Sequence, residues 1–190
     1  MNKPIISEEQ AIAAARCWVE QVVIKHNFCP FAHKPARNNA IRYAASMVQS
    51  EEALVEALMS EVIRLRDADH AVHETTVLVA PNCLRDFHDY NQFLDWVDVL
   101  IEQLHLQGII QVASFHPDYQ FADLDAEDVR NYTNRTPHPL FHLILEEDIE
   151  QARNSYPDVE AIPDTNMRLL EAMGLEEAQR QLTACCQRKK

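Results

Sequence analysis

The stretch TTVLVAP, residues 75–81, is an unbroken β-branched and apolar run closed by proline. Such a run marks a central strand buried on both faces, so the rest of the chain must build a sheet around it. Three further segments read as its partners. AIRYAASM alternates, with Ile41, Tyr43, Ala45 and Met47 on one side, while IIQVASF and LFHLILE are compact apolar runs.

Between and around them the period changes to that of a helix. Ser7 followed by Gln10 is a capping box, and Ile12, Ala15, Val19, Val22 and His26 recur behind it. Ser50 caps a second helix running to about Arg66, with Leu54, Leu58, Val62 and Leu65 on its apolar face. From Phe87 to Leu104 the spacing of Phe87, Tyr90, Phe93, Val97, Leu100 and Leu104 predicts a third, which Gly108 is expected to stop. Three helical segments close the chain: EDIEQARN, DTNMRLLEAM and LEEAQRQLTACC. NFCPFAHKPARNN, punctuated by Pro30 and Pro35, reads as a loop.

The order is therefore α-β-α-β-α-β-loop-β-α-α-α, and the expected class is α+β. Strand-helix-strand steps place helices against a sheet, which predicts a four-stranded mixed sheet with helices mainly on one face. A three-layer α/β sandwich is the alternative. At 190 residues the chain suits one domain, residues 1–190, with a sizeable core.

Composition removes several functions. Two glycines, Gly108 and Gly174, leave no Walker loop or dinucleotide fingerprint, whose backbone must approach phosphate unobstructed. No nucleotide cofactor held by a Gly-rich loop is expected, and Ser114 lacks the flanking glycines of a hydrolase elbow. A formal charge of −13 offers no basic face to a nucleic acid, and only the tail QRKK is locally basic. No stretch approaches the roughly 18 apolar residues of a membrane helix, and the opening MNKPIISEEQ does not read as a secretory signal. Five scattered cysteines, an odd number, fit a cytoplasmic address without a disulfide framework.

SFHPDYQF, residues 114–121, is where the chemistry is expected. It ends an apolar strand in polar residues and opens a long connection that reaches TPHPLFH. Connections of this length inside a compact domain are uncommon and usually functional, and ligand sites in open sheets lie beyond strand carboxyl ends. With Tyr119, Phe121, Tyr132 and three prolines, the segment reads as packed, with a short helix at DAEDVR. His116 and Asp118 share a face if the strand continues, and His138 and His142 share one in either geometry. If the third and fourth strands are neighbours, His116, Asp118 and His142 can hold one divalent metal with an open position. Without a metal, Asp118 can orient His116 as a general base, with His142 as acid. Arg135 and Asn134 would hold an anionic group of a small-molecule ligand, and Tyr119 and Asn131 would shape the pocket. Cys29, with His26 and His33 nearby, is an outside candidate for a reactive thiol.

Against each stands a structural reading: a satisfied histidine at a strand end, loop Asn and Thr bonded to their own backbone, a small buried cysteine. His70 and His73 in HAVHE lack the helical placement of a zinc protease. His116-Pro117-Asp118 follows a strand rather than joining two helices, so it is not a J-domain motif.

On NFCPFA, TTVLVAP, QVASFHPDYQFAD and NYTNRTPHP followed by His142, the chain resembles a bacterial domain-of-unknown-function family, number fourteen-fifteen. The resemblance runs from the first helix to about residue 170 and implies no established activity. Members tend to have Ser-Pro-Tyr-Pro at Thr136-Pro137-His138-Pro139, which argues against a ligand role for His138. They tend toward Arg-Glu at Glu146-Glu147, which weakens an anion site there. The expectation is a cytoplasmic enzyme of hydrolysis or proton transfer with its site in residues 114–142. The alternative is a non-catalytic ligand- or protein-binding module using the same loop.

Overall fold

The protein is described by a computed structural model over residues 6–156 and 158–187. Four strands, β1 (Ile41–Ala45), β2 (Thr75–Val79), β3 (Ile110–Phe115) and β4 (Leu140–Leu145), form one sheet in the order β1-β2-β4-β3. β1 and β2 are parallel, and β4 is antiparallel to both β2 and β3. β2 and β3 thus run the same way, as a strand-helix-strand step requires, and β4 returns into the gap between them. All five residues of β2 are buried, as the TTVLV run demands.

Among the described residues seven α-helices surround the sheet: α1 (Glu8–Trp18), α2 (His33–Arg37), α3 (Glu51–Arg66), α4 (Phe87–Gln103), α5 (Glu146–Ser155), α6 (Ile162–Met173) and α7 (Leu175–Cys186). A π-helical segment, Val19–Ile24, extends α1. The capping box at Ser7 and the cap at Ser50 both form. Asp86 caps α4 by accepting from His88 and Asp89.

The mixed α+β sheet is the one expected, but its helices cover both faces, the arrangement named second above. Alternation along the strands explains this. Leu54, Leu58, Val62 and Leu65 of α3 and Tyr90, Phe93 and Val97 of α4 pack on Leu78, Phe141 and Leu143. Val77, Val79 and Leu140 point the other way, against Ala11, Ala15 and Trp18 of α1, Leu170 of α6 and Ala178 of α7. Each fully buried Leu contributes about 1.5–3 kcal/mol, so neither layer is ornamental.

Three local expectations change. The 27–39 segment is not a plain loop: Pro30–Ala32 is a 3-10 turn leading into α2, where Pro35 falls in the first turn and needs no hydrogen-bonded amide. The stop of α4 is His105 rather than Gly108. His105 takes φ 55°, and the amides of His105 and Leu106 close on Glu102 O and Ile101 O at 2.9 and 3.0 Å, a Schellman ending with Leu106 buried behind it. Gly108 serves the following turn at φ 71°. The short helix placed at DAEDVR is a 3-10 turn at Val129–Thr133, capped by Asp128.

The cysteine reading is also corrected. Cys17 of α1 and Cys185 of α7 form a disulfide with a Cα–Cα distance of 5.4 Å, which lies within the usual range. The sheet brings the two chain ends onto one face, a proximity invisible at a separation of 168 residues. Cys29, Cys83 and Cys186 are free. No helix among the described residues is long and apolar enough to cross a membrane.

Candidate functional site

His116 lies just past β3, 0% exposed, its ring between Phe87 and Tyr90 of α4 at centroid distances of 5.4 and 5.1 Å. Its Nδ1 accepts from the Asp118 amide at 3.0 Å, so Nε2 carries the proton and donates to Leu84 O, also at 3.0 Å. Burial holds the imidazole below its ordinary pKa, and the Leu84 carbonyl offsets only part of that. The ring is thus a neutral cross-brace between two backbone segments, with neither nitrogen left for substrate or metal. Asp118 contributes its amide to this brace, while the residue itself is exposed.

The other polar residues of the segment also turn inward. Asn131, 0% exposed, accepts from the Phe121 amide and donates to Asp125 O. Asn134 donates to Ser114 O, and its own carbonyl accepts from the His116 amide. Arg135 spans the loop, donating to Tyr119 O at 3.0 Å and Ala126 O at 2.6 Å, with its guanidinium 4.9 Å over the Tyr132 ring. Tyr119 packs on Phe87 and Phe121. The packed loop expected from its aromatics and prolines is there, and its polar groups are what pack it.

His142 pairs with Ala113 across β4 and β3 and shares by alternation the sheet face of Leu140, opposite the face that carries the His116 ring. Its Nε2 meets Thr75 Oγ1 at 2.8 Å, and that hydroxyl donates to Leu143 O. Burial pushes His142 down to about 4, and does the same to His138, whose Nε2 is buried without a partner. Cys29 packs against the α1-side core, and burial raises its thiol although the Phe31 and Ala32 amides partly counter that. His116, Asp118 and His142 therefore do not converge on a point a metal could occupy. No group of three or more His, Cys, Asp or Glu among the described residues is placed to hold one.

A groove of about 780 Å³ lies elsewhere, between β1 and α3. One wall is the edge strand itself, Ile41, Arg42 and Tyr43. The other is a helical stripe of Ser60, Ile63 and Arg64, with Asp67 at the cap and Val72 beyond it. Val72 is 68% exposed, a large apolar side chain left in water at the rim. Arg42 forks onto Glu61 at 2.6 and 2.9 Å, and Arg64 approaches the same carboxylate at 3.5 Å. Burial alone would raise Glu61, but the hydrogen bonds and charge of Arg42, with Arg64, hold it below its ordinary value. His73 bonds Thr76 Oγ1 at 2.7 Å, and burial and the nearby Arg42 lower its pKa. On the strand's other face the Arg16 guanidinium sits 4.4 Å over the Tyr43 ring. Burial lifts the Tyr43 phenol to about 12.

Sequence reasoning passed over this groove. Its signal was modest: an arginine inside an apolar strand, and polar residues at 60, 64 and 67 flanking the buried stripe of α3. Neither identifies an edge, because edge status depends on strand order.

A family model described as Protein of unknown function (DUF1415) matches residues 10–180. No curated protein and no solved structure matches the chain.

Proposed function

We propose that this chain, which belongs to the DUF1415 family, is a non-catalytic binding module whose ligand site is the groove between β1 and α3. The observation that carries this reading is an open groove whose rim holds two arginines, Arg42 and Arg64, against the single carboxylate of Glu61 that both approach, on a chain whose net charge is −13. The ligand is anionic, as expected from the sequence, but it is received at β1 rather than in residues 114–142. That segment braces β3 and β4 through internal hydrogen bonds. This reading is preferred to an enzyme of hydrolysis or proton transfer because His116 spends both ring nitrogens on backbone. A cytoplasmic setting stays part of the proposal on the free thiols Cys29, Cys83 and Cys186. The Cys17–Cys185 bond would then answer to the thiol–disulfide poise of that compartment.

The test is thermal unfolding of the protein and of Arg64→Glu in the presence of inorganic phosphate, citrate and pentaglutamate. A probe at about a hundred times its Kd adds about 2.7 kcal/mol, or roughly 5–10 °C for a chain of this size. At least one probe is expected to raise the Tm, and Arg64→Glu is expected to lose the shift. No shift with any probe, or a shift unchanged in Arg64→Glu, would sink the proposal.

A further inference from the structure

We infer that the groove takes an extended acidic peptide segment, which adds to the sheet as a fifth strand beside β1. This rests on the binding reading above and names its partner.

The backbone of β1 supplies the first half of the case. Ala40 O accepts from the Glu74 amide at 2.9 Å, and the Ser46 amide donates to Val79 O at 2.8 Å. Within β1, Arg42 and Ala44 therefore direct their amides and carbonyls toward β2. By the alternation of a strand, those of Ile41, Tyr43 and Ala45 point outward. They meet no backbone partner among the described residues. Natural sheets cover, twist or charge an open edge. Here the edge faces a groove walled by a helix, the geometry in which an added strand gains main-chain hydrogen bonds while pockets read alternate side chains.

Charge supplies the second half. A strand laid along β1 points alternate side chains to either face. On the α3 side they meet Arg64, 56% exposed, and Arg42, 37% exposed. On the α1 side they meet Arg16, held against Tyr43. Of the acidic groups nearby, Glu61 is engaged by Arg42 and Asp67 by Arg66 at 2.6 Å, and Glu20 stands near Tyr43 on the α1 side opposite the Arg16 charge. The chain's negative charge acts over distances that salt screens beyond about 8–10 Å, whereas the arginines act at contact. A second copy of this chain fits less well, because symmetric pairing of β1 with itself would set each arginine cluster against its twin. The five residues of β1 span about 17 Å, so the segment recognised is about five residues long.

The probe is a fluorescent, end-capped peptide of alternating Glu and Val, together with two isomers N-methylated on all Glu or all Val amides. Binding is read by fluorescence anisotropy. Strand addition uses the amides of one alternating set only. One isomer is therefore expected to lose at least about ten-fold in affinity, while the other keeps the parent's. Raising the salt concentration or introducing Arg64→Glu should weaken the parent peptide. Equal binding by both isomers would overturn strand addition and leave an anion-binding groove intact. No binding of the parent peptide would also overturn it, with the phosphate and citrate shifts deciding the wider reading separately. A protein that sediments as a dimer, dissociated by Tyr43→Pro, would overturn it too by assigning the edge to a second copy.

Discussion

Replacing His116 with alanine removes a fully buried ring that satisfies two backbone groups at once, the Leu84 carbonyl and the Asp118 amide. The Leu84 carbonyl belongs to a buried residue with no water to turn to, while the Asp118 amide lies nearer the surface. Each group left unsatisfied costs about 1–3 kcal/mol. The vacated space beside Phe87 and Tyr90 adds a cavity cost, and the contacts at 5.4 and 5.1 Å are lost. The sum is about 3–6 kcal/mol, against a total stability of about 5–15 kcal/mol for a typical domain. The expected lowering of Tm is roughly 6–24 °C at 2–4 °C per kcal/mol. Urea unfolding followed by circular dichroism reads it directly, and the peptide and anion affinities of whatever fraction remains folded should be those of the parent. A catalytic or ligand-holding histidine behaves oppositely, with stability preserved and function lost. A destabilisation under about 1 kcal/mol would refute the cross-brace.

Two further outcomes follow from the histidines whose pKa desolvation lowers and from the disulfide. His138 and His142 sit near 4 and His116 is also lowered, against about 6.5 unfolded. Between those values the unfolded chain binds more protons, so the stability held above pH 6.5 is lost as pH falls, at up to about 1.4 kcal/mol per pH unit for each histidine. Urea titrations should show a loss of about 2–4 kcal/mol from pH 7 to 5, and a flat profile would contradict the assigned neutral rings. The Cys17–Cys185 bond closes a separation of 168 residues, worth at most about 5 kcal/mol of loop entropy and more commonly 2–4. Reductant or Cys185→Ser should lower the Tm accordingly, and five titratable thiols in the unreduced, denatured protein would show that the bond is not formed.

The local rules read well wherever one element could be judged alone. The caps at Ser7 and Ser50 and the buried stripe of Leu54, Leu58, Val62 and Leu65 depend on neighbours three and four residues away. The packed polar loop was also legible, through its aromatics and prolines. Its role was not. Whether Asn131 or Arg135 reaches for a ligand or for a carbonyl depends on where residues 119–126 fold back, and the sequence does not carry that distance.

Period and capping determined the four strands and the longer helices of this protein and their order, because each rests on contacts within a turn or a strand. The tertiary structure alone decided that β4 enters between β2 and β3. That insertion makes β1 an edge and sets His142 across the sheet from His116. It is a matter of strand pairing between segments far apart in the chain, where every apolar run has several acceptable partners. Only burial of all the faces together selects one arrangement, and with it the open edge that is this chain's candidate binding surface.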